Sequence, residues 1–411
     1  MCDVIVIGAG AAGMLAAAEA ARRGAHVVLL EKNGKTGVKI LMSGGTRCNI
    51  THDTDARGIT EAFGSAKRFL QSSVGSFPPS AVVQMFHDQG VQTKVESTGK
   101  VFPVSDRAVQ VRDALEAMMH QSGTELRLKT SVTGVQPEAG RWIVQTDSLT
   151  LACGRVIVTS GGRSWPGCGT TGDAYAWLKQ IGHTIVPTRP ALVPLVGGTP
   201  WMQGLSGLTL DETTARVFNV KSGGKKRRPL IERSASWLFT HFGFSGPAAM
   251  DVSGTMTAAQ EMKDVQLELD VLPAMDKSQF VDMLTSGGQG NRSLSKCLAE
   301  HLPSRLAEAI VAAAGGDCRI AELPKARLAS LVDHTKRLRL PVSGTRGFAK
   351  AEVTAGGVSL KEVDPRTMES RVTAGLYIAG EVLDVDGWIG GFNFQSAFST
   401  GRAAGIAAAT T

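Results

Sequence analysis

Nothing in the sequence pairs its cysteines. The six present (Cys2, Cys48, Cys153, Cys168, Cys297 and Cys318) are scattered, with no C-x-x-C spacing. That scatter excludes a dithiol relay and a small disulfide framework, and it fits reduced thiols in a cytosol. Long hydrophobic runs are missing too. No apolar stretch reaches bilayer length, and the alanine-rich piece over 403–409 is short and broken by glycine. The chain passes from Met1-Cys2-Asp3 straight into an apolar strand, so no signal peptide is expected. The expectation is a cytoplasmic protein without a membrane partner, in which the N-x-S/T matches at Asn49 and Asn291 carry no glycan. Aromatic residues make up 5% of the chain, and no aromatic RNA-binding motif is present. No second G-x-G-x-x-G follows a strand, which leaves no dedicated nicotinamide domain.

What is there belongs to a soluble globular chain of two or three domains: 411 residues, 43% hydrophobic and 20% charged. The net charge of +7 is spread out apart from one run, Lys225-Lys226-Arg227-Arg228, between Gly224 and Pro229. That run is either a solvated hairpin tip or a contact for a phosphate backbone.

The first thirty residues carry the most specific signal. Asp3 to Ile7 reads as a strand, and Gly8-Ala9-Gly10-Ala11-Ala12-Gly13 is G-x-G-x-x-G. An alanine-rich helix runs to Arg23, and a second strand, His26 to Leu30, ends at Glu31. In that context the pattern is a dinucleotide fingerprint. Gly8 permits the turn, Gly10 lets the backbone approach a pyrophosphate, and Gly13 lets the helix pack on the sheet. The N–H groups around Ala11 and Ala12 open a helix whose positive end suits a diphosphate. Glu31 is placed to accept ribose hydroxyls. Lys32 and Lys39, on the loop that follows, are further candidate cofactor contacts.

The far end of the chain chooses between NAD and FAD. Leu376 to Ala379 reads as a strand ending in Gly380-Glu381, and Gly390-Gly391 opens a helix running to about Ala409. An acid for the ribityl and pyrophosphate region, and a second helix N-terminus for the flavin pyrimidine, are what a flavin site needs. Phe392, Asn393 and Gln395 at the start of this helix are candidate contacts. A plain NAD enzyme has no use for the second element, so noncovalent FAD is expected.

The segments GAGAAG, KILMSGGTRCNIT, GKVFPVSDRA, TSGGRSWPGCGTTGDAY, LFTHFGFSGPA and TAGGVSL…GLYIAGEVLDVDGWIGGFNFQSA resemble the NAD(P)/FAD-dependent oxidoreductase flavoproteins of aminoacetone oxidase type. That family also includes bile-acid-pathway reductases and a ribosomal RNA dihydrouridine synthase. The likeness covers nearly the whole chain. It implies a two-part FAD domain, a β-rich substrate domain and a small helical insert, and it implies that the backbone of Val132 reaches the adenine edge. Thr46 stands where a glycine is common, and Phe392 where a tyrosine is common.

The loop KILMSGGTRCNITH can now be placed. Cys48 and His52 lie four apart with no second pair nearby, so no metal site is expected. What remains is a cradle in which Ser43, Gly44, Gly45, Thr46, Arg47 and Asn49 offer donors to the FAD diphosphate and flavin edge. Cys48 is either a thiol with a pKa lowered by Arg47, able to act as a general acid, or a small packed hydrophobe.

In the middle of the chain, short strands over 126–152 form a β excursion. The strand after it ends in Ser160-Gly161-Gly162, whose backbone can pass close to the cofactor. Arg163, Ser164 and Trp165 are candidates to face substrate. Alternation over 196–260 suggests a barrel or sandwich, and helical periodicity over 274–340 a cap. The expected architecture is α/β. A Rossmann-like FAD-binding domain of the glutathione-reductase type spans 1–195 and 342–411. A barrel-like β domain follows at 196–273, and a helical insert at 274–341. His241, among the aromatics of LFTHFGFSGPAAM, is either a satisfied core group or a proton donor at the flavin.

The chemistry expected is hydride transfer through flavin N5, with NAD(P)H as a possible transient donor, an unidentified acceptor, and His241 or Cys48 as acid. Three functions compete: an oxidoreductase acting on a small molecule, reduction of a uridine in ribosomal RNA, and a non-catalytic flavin sensor. The pI near 9.1 and the basic run speak for RNA, with no DNA expected.

Overall fold

The computed structural model describes residues 2–220, 228–285 and 290–410, which fall into two compact units. Lys225, Lys226 and Arg227 of the basic run, and Gly287-Gly288 of the helical segment, lie outside the described residues.

The first unit comprises Met1–Pro190 and Phe348–Thr411. Its sheet is built on Cys2–Ile7, an apolar strand buried at five of six positions, as expected for a parallel strand covered on both faces. Val27–Leu30 pairs parallel on one side and Thr150–Val158 on the other, so Ile5 lies opposite both Val28 and Val156. Glu125–Arg127 extends the sheet beyond Val27–Leu30. The strand 150–158 does two jobs. Its first half pairs antiparallel with Arg141–Thr146, which continues to Val132–Glu138, and its second half pairs parallel with Leu376–Ile378. Glu125–Arg127 thus belongs to the main parallel sheet, and the excursion is the three strands after it.

The helix Ala11–Ala21 is alanine-rich for a physical reason: it is buried on nearly every side. Much of that cover is the long C-terminal helix Phe392–Thr410. A Cβ on Gly401 would sit 2.8 Å from Ala12 Cα, and one on Gly405 2.9 Å from Ala16 Cα. The two helices therefore meet backbone to backbone, which brings the two ends of the chain together.

The second unit, Ala191–Gly347, is one antiparallel sheet of seven strands with helices on it. In spatial order the strands are Leu338–Leu340, Val265–Asp270, Thr209–Asn219, Ile231–Thr240, Gly243–Ser245, Leu195–Gly197 and Val342–Thr345. The first and last in space are separated in sequence only by Pro341. The sheet must curl until its edges come close, which is the sense in which it resembles a barrel. The helical segment is not a separate body. Phe280, Leu298, Leu306, Ile310 and Leu331 share one core with Trp237, Phe239, Leu267, Leu269 and Leu338. Two units with two cores stand where the sequence suggested three domains.

Candidate cofactor site

At the head of the helix Ala11–Ala21 the three glycines divide the work as their surroundings require. Gly8 has φ +100°, and a Cβ there would lie 2.8 Å from Thr159 O. Gly13 presses the helix onto the sheet so closely that a Cβ would strike Gly8 O and lie 2.5 Å from Thr159 Oγ1. A Cβ on Gly10 would meet nothing within 4 Å. The helix therefore opens toward free space at Gly10, with no acidic side chain in its first turn and no side-chain cap on its N–H groups. That is the donor set and the room a diphosphate needs.

Glu31 is buried at the end of the second strand. One carboxylate oxygen accepts from Ala9 N at 2.8 Å, and the other from Asn33 N and Nδ2, both at 2.8 Å. These bonds fix the carboxylate and leave lone pairs for two hydroxyls. Thr130 N donates to Glu31 O at 2.9 Å, which sets Val132 beside the same strand end. Ser160 Oγ is enclosed without a partner among the described residues. A buried hydroxyl in that state points to a ligand atom. Gly161, at φ +75°, turns the backbone there. Taken together, Gly10, Glu31 and Ser160 fit a dinucleotide.

The loop after the second strand is strained in a way the sequence does not announce. Gly44, Gly45, Thr46 and Cys48 all have φ between 55° and 71°. For a β-branched residue such as Thr46 this is an outlier, of the kind held at functional sites. Not every donor faces inward. Ser43 Oγ donates to Ile40 O and Thr46 Oγ1 to Gly45 O. Arg47 is turned away: its guanidinium pairs with Glu96 at 2.6 Å and stacks 4.0 Å over Phe102. It is withdrawn from the expected diphosphate contacts. Cys48 is fully buried, and burial pushes its thiol up to about 12. This corrects the expectation of a thiol made acidic by Arg47; the packed reading is the one its surroundings support.

The same loop joins the far end of the chain. With the Asn49 amide oriented to satisfy its neighbours, its oxygen accepts from Gly391 N at 3.0 Å and its nitrogen donates to Thr51 O and Val101 O. His52 Nδ1 lies 3.0 Å from Gly390 O, and the His52 ring stacks on Phe392 at 4.6 Å. Thr51 Oγ1 donates to Gln395 Oε1 at 2.6 Å. Gln395 Nε2 donates to Phe77 O and Ser399 Oγ, so its amide is spent inside the core. Gln395 is thereby corrected from a cofactor contact to a residue that positions the helix. Asn393 similarly clasps Gly387 and the Trp388 carbonyl.

Glu381 sits in a network rather than alone. Lys39 Nζ donates to it at 2.5 Å, Ser164 Oγ at 2.6 Å and Thr354 N at 2.9 Å, and Lys39 also reaches Ser164. Thr354 Oγ1 in turn accepts from Arg163 N and Ser164 N, and Gly162 is needed because a Cβ would lie 2.6 Å from Thr354 Cβ. Thr354 escaped sequence reasoning, and His52 was weighed there only as a metal ligand; the TAGGVSL and CNITH motifs that hold them were the available signal. Lys32 pairs with Asp173 at 2.6 Å at the surface.

His241 lies in the second unit, exposed on the two-residue turn between Ile231–Thr240 and Gly243–Ser245, its ring 5.1 Å from Phe242. It is not the satisfied core group that one reading expected.

A Rossmann sheet whose nucleotide cradle draws on both ends of the chain, with a sheet-rich second unit, is an oxidoreductase flavoprotein. The pattern of the HI0933-like protein Rossmann domain matches residues 2–407, and the chain belongs to that family. It is 33% identical over 399 residues to a ribosomal RNA dihydrouridine synthase of Escherichia coli (strain K12), covering 97% of this chain and 96% of that one. It is 31% identical over 418 residues to a 3-dehydro-bile acid delta(4,6)-reductase of Clostridium scindens, covering 98% of each. Among solved structures, the 3-ketosteroid-Δ4-(5α)-dehydrogenase of Rhodococcus jostii RHA1 shares the fold, with a TM-score of 0.51 at 15% identity over 100% of this chain and 97% of that one. No helix among the described residues is long and apolar enough to cross a membrane.

Proposed function

We propose that the protein is an FAD-dependent reductase that adds two hydrogens across a carbon–carbon double bond conjugated to a carbonyl, its substrate a uridine in ribosomal RNA. The observation that carries the flavin half is the clasp between the two chain ends, Asn49 to Gly391 and His52 to Gly390. A mononucleotide or NAD site would need no such clasp. Bound FAD would supply hydride exchange through its N5, refilled by NAD(P)H. The chain's own residues bind and orient. Gly10, Ala11 and Ala12 offer N–H groups to the diphosphate, Glu31 accepts the ribose hydroxyls, and Val132 lies at the adenine edge. Ser160, Gly161 and Gly162 border the diphosphate, while Lys39 and Glu381 form the polar floor beside it. Ser43, Gly44, Gly45 and Thr46 line the flavin edge, with Gly390, Gly391 and Phe392 at the head of the second helix. Asn49, Asn393 and Gln395 hold these parts in register.

For the substrate, the support is a pair of relatives named ribosomal RNA dihydrouridine synthase, each 32–33% identical over nearly the whole chain, together with a net charge of +7 that favours a polyanion. A second reading, a small enone, is favoured by the bile-acid reductase relative. Both substrates offer the same conjugated carbonyl. The sensor reading loses ground because the full-length relatives are enzymes. The test is a deletion strain: loss of one ribosomal RNA dihydrouridine, restored by the wild-type gene, is expected. An unchanged dihydrouridine content would refute the RNA reading. Reoxidation of the reduced protein by a steroid enone alone would favour the second.

A further inference from the structure

The loop between Glu381 and Gly391 carries an acid that nothing above uses. Asp386 lies midway along it, and the backbone on each side is pinned. Asp384 Oδ1 accepts from Gly356 N at 3.0 Å, and Asn393 Oδ1 accepts from Gly387 N at 2.8 Å. Gly387 also abuts the Phe63 ring, which a Cβ would approach to 2.7 Å. The carboxylate of Asp386 has no hydrogen bond or ion pair among the described residues. Arg189 is close by in the fold: its strand, Ile185–Ala191, pairs with Val353–Val358, a Cβ on Gly356 would lie 2.9 Å from Thr188 Cα, and Gly356 N holds Asp384, two residues before Asp386. Arg189 Nε is enclosed and has no partner, and no carboxylate comes within ion-pair distance of that guanidinium among the described residues. A third polar atom, Tyr175 Oη on the helix Ala174–Ile181, is also enclosed and unpartnered, within the field of Asp384 and Glu381.

An enclosed donor left without an acceptor costs about 1–3 kcal/mol, so a cation and an acid that stay apart, each with capacity unspent, are a poor structural device. They are a good ligand device. The ligand they suit has an acceptor oxygen for the guanidinium and, elsewhere on it, an atom that takes a proton. A conjugated carbonyl has both.

We propose that Arg189 and Asp386 receive the conjugated carbonyl of the substrate, Arg189 holding its oxygen and Asp386 giving the proton to the carbon next to it. The proposal rests on the reductase reading above. As the β-carbon accepts a hydride from the reduced flavin, the π pair of the double bond moves toward the carbonyl oxygen, where Arg189 stabilises the enolate charge. The enolate then collapses, and its α-carbon takes the Asp386 proton. Two C–H bonds form, one C=C π bond is lost, the flavin is oxidised by two electrons, and the carboxylate is reprotonated from water. Burial pushes Asp386 up to about 6, Arg189 opposes this, and Asp384 and Glu381 add to it. The acid form is therefore the minor one at neutral pH, and its fraction falls about tenfold for each pH unit above 6.

The experiment uses FAD-loaded protein, photoreduced and mixed anaerobically with 2-cyclohexen-1-one or with an unmodified ribosomal RNA transcript. Reoxidation of the wild type should slow as pH rises above about 6. D386N should be slower by about 100-fold or more and flat with pH, with D386E recovering part of the rate. A second readout needs no turnover: 4-nitrophenolate, an enolate mimic, should bind the oxidised holoprotein about tenfold more weakly after R189M. Flavin content and melting temperature identify any variant that fails to fold, and D386A then stands in for D386N with the same expected loss. If neither acceptor reoxidises the wild type, the reductase reading itself falls. If the wild type is reoxidised and D386N keeps pace, or if R189M binds 4-nitrophenolate as tightly as the wild type, the pair is refuted while the reading survives.

Discussion

Replacing Gly401 and Gly405 by alanine tests how closely the two ends of the chain are packed. Each added Cβ would lie 2.8–2.9 Å from a Cα of Ala12 or Ala16, where ordinary contact begins at 3.4 Å, and closer still to the carbonyl oxygens. The obstacle is helix backbone on both sides, so no side chain can rotate away. The helices must separate by something under about 1 Å, an overpacking cost of about 1–3 kcal/mol. Against this, glycine to alanine in a helix interior returns about 1 kcal/mol. Each single variant should therefore be destabilised by about 0–2 kcal/mol. The double variant is more telling. One separation relieves both clashes while the propensity gain is collected twice, so the losses should fall short of additive by about 1 kcal/mol or more. Urea unfolding of the four proteins reads this directly, with the flavin-free form used throughout so that cofactor binding does not enter. Single variants stabilised by the full alanine propensity, or losses that add, would mean the helices do not meet at these glycines.

Three further changes probe the clasp and the polar floor. N49L removes the acceptor for Gly391 N and the amide donor to the Thr51 carbonyl, while Val101 O keeps its bond from Ile50 N. It should cost about 2–4 kcal/mol in urea unfolding, whereas a neutral substitution would contradict the contact. K39M leaves Glu381, which is partly buried, without its cation. Discounted for solvent, the loss should be about 1–2 kcal/mol, and K39R should recover much of it in the same assay. His183 is buried between Ser370 and Glu362, and burial lowers its pKa against the opposing pull of Glu362. The unfolded chain then binds the extra proton first. The His183 contribution is intact above the unfolded value near 6.5 and should be lost as pH falls below it, with H183Q flattening the acid side of a stability-versus-pH curve. An acid limb unchanged by H183Q would show that His183 does not titrate in this way.

The fingerprint was legible because backbone geometry left few choices. The close approach at Gly13 and the turn at Gly8 each demand a residue without a Cβ, and the spacing records it. The alanine-rich helix and the glycine-bearing C-terminal helix could each be read, but their meeting at Ala12 and Gly401 could not, because it is a tertiary fact written in small residues on two distant segments. Side-chain direction was least legible. Arg47 sits in the cradle by sequence, yet Glu96 and Phe102 outbid the expected anion for its guanidinium. Gln395 is in the first turn of the right helix but faces the core. His241 looked like a site or core residue because aromatics flank it; Phe239 and Phe244 are buried, but His241 is exposed on the two-residue hairpin turn between their strands. Arg189 and Asp386 left no sequence signal at all, being an ordinary strand arginine and an ordinary loop acid until folding brings their elements together.

A single flavin held by both ends of the chain is what the proposed function requires. Titration of flavin-free protein with FAD, followed by quenching of flavin fluorescence, measures this with G10V at one end and N49L at the other. One FAD per chain is expected, with FMN binding far more weakly for want of the adenosine contacts. Either variant should weaken FAD by about tenfold or more, which is the loss of about 1.4 kcal/mol or more at either end. FAD affinity that survives N49L in folded protein, or FMN bound as tightly as FAD, would contradict the two-ended cradle.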